Sequence, residues 1–106
     1  MNPVALDRTF DALANQPRRE IVSRLSGGGL PTRELAEQFS FTKQALSRHL
    51  ALLEEAGVVE RTPLGRAHLL TLRPRPLVGV SDWVAEIRQG WRASFDRLDT
   101  ILGESE

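Results

Sequence analysis

The side chains of this sequence that can do chemistry do it through hydrogen bonds and charge. They are densest in FTKQALSRHLALLEEAG, residues 41–57. At 100° per residue, Lys43, Gln44, Ser47, Arg48 and Ala51 share one helical face. Leu46, His49, Leu53 and Ala56 share the other, flanked by Ala45, Leu50 and Leu52. Gln and Arg can make two-point bonds to the edges of adenine and guanine, while Thr, Lys and Ser hold phosphates. Gln44 and Arg48 are therefore candidate base readers, and Thr42, Lys43 and Ser47 candidate phosphate contacts near the positive end of a helix dipole. The acidic Glu54 and Glu55 come only at the far end. With Thr42 as N-cap and Gly57 as a left-handed stop, the stretch predicts a helix over about 42–56 that enters a DNA major groove by its N-terminal half.

Other chemistries lack their residues. There is no cysteine, so there is no disulfide, thiolate nucleophile or cysteine metal site. Of the two histidines, His49 falls on the core side of its helix and His68 lies in a β-prone run as a surface residue. No paired carboxylates and no serine with a base stand in a catalytic frame. Gly27-Gly28-Gly29 is followed by no Lys-Ser/Thr pair and preceded by no strand, so it reads as a helix stop and turn rather than a phosphate loop. The expectation is a protein that is not an enzyme, with no cofactor and no metal.

These side chains need a scaffold. The 106 residues, 41% hydrophobic and 26% charged, suit one soluble domain over 1–106. No run of eighteen apolar residues spans a membrane, and the N-terminus carries no apolar signal core, so a cytoplasmic location is expected. The net charge is zero, yet residues 17–75 hold ten Lys and Arg against six Asp and Glu, leaving both ends acidic. A locally basic middle can bind phosphates.

Leu6, Phe10 and Leu13 recur with helical spacing within a first helix over about 4–15. Pro17 opens a second, Arg18 to Ser26, which buries Ile21, Val22 and Leu25. Thr32, as N-cap, starts a short third helix to about Phe39. Ser40-Phe41 then turns into the 42–56 helix, giving a helix-turn-helix. Beyond Gly57 the period changes: Val58–Thr62 and Ala67–Leu72 are β-prone runs around the turn Pro63-Leu64-Gly65-Arg66. This hairpin, about 58–72, is a wing. Arg61 and Arg66 flank its tip, placed for DNA backbone or minor groove. Arg73-Pro74-Arg75-Pro76 reads as a stiff connector. A last helix, about 77–102, carries Trp83, Ile87, Trp91, Phe95 and Leu98 as an apolar stripe too large for a small domain to cover. That stripe, with Leu6, Phe10 and Leu13, is the expected homodimer interface. The fold class is mostly α with a small β-hairpin, in the order α-α-α-α-β-β-α.

ALANQPRREIVSRL, LPTRELAEQF and FTKQALSRHLALLEEAGVVERTPLGR resemble the ArsR family of winged helix-turn-helix repressors over nearly the whole chain. The run S-R-H-L-x-x-L-E-x-A-G, Ser47 to Gly57, is the most specific part. DWVAEIRQGWRASFDRLDTIL resembles a branch whose last helix carries spaced tryptophans and no metal ligands. The resemblance implies a homodimer on a palindromic operator, with Thr42, Lys43, Gln44, Ser47 and Arg48 at the DNA. Metal-sensing relatives place cysteines where this chain has Thr32-Arg33-Glu34-Leu35, or histidine and carboxylate ligands on a last helix that here has no histidine, so neither site carries over.

The function expected is that of a transcriptional regulator, a repressor, binding an inverted-repeat stretch of double-stranded DNA without a metal effector. No residue set points to a small-molecule effector. The alternative is a winged-helix module that binds protein and never touches DNA. The two differ on the Lys43, Gln44, Ser47, Arg48 face, where a protein-binding helix would carry large apolar anchors.

Overall fold

The computed structural model describes residues 3–104; the two residues at each end of the 1–106 span lie outside the described residues. The elements in chain order are α1 (Pro3–Leu13), α2 (Gln16–Leu25), β1 (Leu30–Pro31), α3 (Thr32–Glu37), α4 (Lys43–Glu55), β2 (Val59–Leu64), β3 (Ala67–Leu72) and α5 (Pro74–Glu104). The chain is mostly helical with a small antiparallel sheet, the winged helix-turn-helix expected.

The helix ends have local causes. Asn15 caps α2, its side chain accepting from the Arg18 amide, and Pro17 lies in the first turn. α2 thus starts two residues before the expected Arg18. Thr42 caps α4, its hydroxyl oxygen accepting from the Ala45 amide at 3.0 Å. At the other end Gly57 has φ of +74°. Its N–H donates to the Glu54 carbonyl and the Val58 N–H to the Leu53 carbonyl, both at 2.9 Å. This pair of bonds closes the helix, and Val58 and Leu53, both fully buried, pack across the exit.

Three expectations need correction. Thr32 is the first residue of α3 rather than its cap: Pro31 sits at the N-cap without a side-chain bond, and the Thr32 hydroxyl donates to the His68 carbonyl at 3.5 Å. α3 also ends at Glu37, short of Phe39. Arg73–Pro76 is not a connector, because α5 begins at Pro74. A helix leaves its first amides without intrahelical acceptors, so prolines are tolerated there. Arg73 alone separates β3 from α5, its N–H donating to the Val58 carbonyl at 2.9 Å.

The sheet has three strands in the order β1-β3-β2, one more than the hairpin expected. β2 and β3 pair antiparallel from Val59↔Leu72 to Leu64↔Ala67, and β1 adds Leu30↔Leu70 and Pro31↔Leu69. Gly29 is the residue that lets β1 in. A Cβ there would lie 2.8 Å from Thr71 Cγ2 and 3.2 Å from the Leu70 carbonyl oxygen.

The core joins Ile21 and Leu25 of α2, Leu35 of α3, Leu46, Leu50 and Leu53 of α4, and Val58, Val59 and Leu70 from the sheet side. α4 is its centre, and truncating one of these leucines to alanine costs about 2–5 kcal/mol. α5 is different. Its 31 residues span about 46 Å at 1.5 Å per residue, and every residue from Arg88 to Gly103 is exposed. The molecule measures 70 × 29 × 21 Å.

Candidate nucleic-acid interface

The three leucines that bury one side of α4 fix which side faces out. Lys43, Gln44, Ser47, Arg48 and Ala51 are all exposed, as is Thr42 at the cap. They cluster at the N-terminal half, where the first-turn amides point outward and the helix dipole is positive. Such an end favours phosphate oxygens. Glu54 and Glu55 lie at the opposite end, so the polarity read from the sequence is present in space.

The turn between α3 and α4 is held by rings. Phe39 and Phe41 stack with centroids 4.8 Å apart and planes 6° from parallel. His49 continues the group, its ring 5.4 Å from that of Phe41, and the Arg24 guanidinium lies 5.9 Å from the Phe39 centroid. Both phenylalanines also pack on the core. This cluster fills the α3–α4 turn and joins it to the core. Sequence reasoning treated Phe41 as a turn residue only. The available signal was the i, i+2 pair of phenylalanines across a turn too short to hide them separately.

His49 lies on the core side, as its position in the helical period requires. Its Nδ1 is buried and has no hydrogen-bond partner among the described residues. Burial holds the imidazole below its ordinary value of 6.5, and the Arg18 and Arg48 guanidinium charges push it further down. The ring is a neutral packing group at neutral pH. His68 is exposed, with its carbonyl taken by Thr32.

The wing brings Arg66 to its end and keeps Arg61 from it. The last paired residues are Leu64 and Ala67, so Gly65-Arg66 form a two-residue turn. Gly65 has φ of +62° and no non-glycine residue described has positive φ, the pattern of a type II′ hairpin turn. Arg66 is exposed at the tip. Arg61 stands further down the ladder, opposite Leu70. Its Nε donates to Glu54 Oε1 at 2.9 Å and its Nη2 to Glu54 Oε2 at 3.3 Å. The reading of Arg61 as a tip residue is corrected on this ground.

Two further arginines of the basic middle are engaged internally. Arg18 Nε donates to the Ala12 carbonyl at 2.6 Å and its Nη2 to that of Asp11 at 3.2 Å, while Arg19 Nη1 donates to the Leu13 carbonyl at 2.7 Å. They satisfy the carbonyls at the end of α1 and bolt it to α2.

The residues expected at a dimer interface separate into two groups. Phe10 and Trp83 meet within the chain, edge to face at 5.3 Å. Leu13 is half-buried and packs on the chain's own core. Leu6 and Ile87 are half-buried. Trp91, Phe95 and Leu98 are 60%, 63% and 49% exposed, with Ile101 at 60% beside them.

This arrangement agrees with what the chain is similar to. Residues 13–62 match a helix-turn-helix domain family. Over 74 residues the chain is 38% identical to the HTH-type transcriptional regulator Rv2034 of Mycobacterium tuberculosis, covering 70% of this chain and 69% of that one. It is 28% identical over 79 residues to the transcriptional repressor SdpR of Bacillus subtilis, covering 74% and 88% of the two chains. The crystal structure of the ArsR family transcriptional regulator RHA00566 superposes with a TM-score of 0.78 at 30% identity, covering 87% of this chain and 95% of that one. The fold, the exposed polar end of α4 and these relatives lead to one assignment: the chain belongs to the ArsR family of winged helix-turn-helix transcriptional regulators.

Proposed function

We propose that this DNA-binding regulator acts as a cytoplasmic repressor: a homodimer, joined through α1 and α5, that sets its two α4 helices into successive major grooves of an inverted-repeat operator. The observation that carries the reading is the outer face of α4. Lys43, Gln44, Ser47 and Arg48 are all exposed there, gathered at the positive end of the helix with no large apolar anchor among them. Gln44 and Arg48 are long enough to reach base edges, and Thr42, Lys43 and Ser47 hold the flanking phosphates. Arg66 at the wing tip adds a backbone or minor-groove contact. The dimer rests on the exposed Trp91, Phe95 and Leu98 stripe. Repression is suggested by the likeness to SdpR. Regulation works without a metal, because the chain has no cysteine and its two histidines are a half-buried ring beside Phe41 and an exposed strand residue.

Selection from a pool of random duplexes, followed by footprinting, tests the proposal. It should return an imperfect inverted repeat whose half-site centres are about 34 Å apart, one turn of DNA. Recovery of no preferred duplex would defeat the reading.

A further inference from the structure

Resting on the DNA-binding reading above, we propose that Glu54 and Arg61 form a latch that fixes the wing relative to α4, so that Arg66 meets the DNA backbone in register with the bases α4 reads. Glu54 is in the last turn of α4 and Arg61 on β2, seven residues apart in sequence. They join by two roughly parallel bonds, Nε to Oε1 at 2.9 Å and Nη2 to Oε2 at 3.3 Å. A planar fork closing on a carboxylate at two points sets orientation as well as distance.

The wing needs such a constraint. Its root is firm, because Val58 and Val59 are buried. Every residue from Glu60 to His68 is exposed, so the rest of the hairpin has no core of its own. The far strand is held at its root, by β1 at Leu69 and Leu70 and by the Thr32 hydroxyl on the His68 carbonyl at 3.5 Å. The latch ties the near strand, β2, directly to the recognition helix. It also cancels a carboxylate that would otherwise face DNA phosphates from the end of α4. With side chains 33% and 29% exposed, the pair adds little to stability. Its effect is on geometry, and variants that lack it should fold normally.

Salt dependence of operator binding reads the latch. In the wild type, Arg66→Ala should lower the slope of log affinity against log salt by about one unit, the loss of one phosphate contact. In the Glu54→Gln/Arg61→Gln background, with both charges removed together, the same Arg66→Ala change should lower the slope by roughly half as much or less. Arg61→Lys keeps the charge and loses the two-point fit, and should behave like the unlatched protein. Circular dichroism melts verify that each variant is folded. An Arg66→Ala effect of equal size with and without the pair would overturn the latch, as would wild-type behaviour from Arg61→Lys or an unchanged slope for Arg66→Ala in the wild type. In all three of these the unmutated protein still binds its operator. Failure of the DNA-binding reading is distinct: the unmutated protein would then prefer no duplex, and the latch would fall with it.

Discussion

His49 shows how one residue's environment can matter more than its chemical repertoire. A histidine beside a DNA-reading face invites a functional role, yet its Nδ1 is buried without a hydrogen-bond partner among the described residues and its pKa is lowered. Arg18 faces it from α2 and Arg48 from its own helix, both positive, so protonation is opposed from each side. The consequence for stability has a definite sign. The unfolded chain takes up the proton near pH 6.5, while the folded chain resists it. Stability is therefore full above pH 6.5 and falls as pH drops from there toward the lowered folded value. Urea unfolding between about pH 5 and pH 8 should show midpoints declining on the acid side, and His49→Gln should flatten that decline. An unchanged profile in the variant would remove His49 from the account. The arginines make a related point. Ten basic residues in the middle of the sequence suggested a phosphate-binding surface. The structure engages Arg18 and Arg19 on the carbonyls of α1 and Arg61 on Glu54. Which charges remain for DNA depends on these pairings, and composition carries no information about them.

At the scale of elements, strong periodicity was legible and short structure was not. α4 repeats its apolar residues over three turns, so Leu46, Leu50 and Leu53 announce both the helix and its buried side. The Gly57 stop was equally clear, because a left-handed residue after a helix favours glycine. β1 has two residues and cannot show a period. Its only trace was Gly29, which reads as turn chemistry and in space is a close approach to β3. Gly29→Ala should destabilise the domain by about 1–3 kcal/mol, the usual cost of forcing an extra carbon into a packed site. Thermal or urea unfolding measures it, and an alanine variant as stable as the wild type would mean the β1–β3 approach is loose. Thr32 was misread for a related reason. Its hydroxyl suits a cap, but the sheet offers it the His68 carbonyl instead. The two prolines after β3 misled as breakers, since the start of a helix is the one part of it that accepts them.

At the scale of the whole molecule, shape is the main clue. A compact domain of this length has a radius of gyration of about 13 Å, whereas this chain has 19.1 Å. The excess is α5, whose distal half carries Trp91, Phe95, Leu98 and Ile101 in the open. Exposed aromatic stripes of this size mark interfaces. Sedimentation equilibrium at micromolar concentration should give twice the 11.8 kDa chain mass, and Trp91→Ala should weaken association by about 3–5 kcal/mol. A folded monomer under those conditions would contradict the dimer. The sequence revealed this stripe because its spacing is helical over five turns. It could not show that Trp83 is partly used within the chain against Phe10, a contact made between the two ends of the sequence. The central claim, that the N-terminal face of α4 reads bases, is tested most directly by titrating wild type and Arg48→Ala against a library of single-base operator variants. The account predicts a loss of about 1–3 kcal/mol on the preferred operator and relaxed base choice at one position per half-site. Unchanged affinity and unchanged base preference in Arg48→Ala would contradict it.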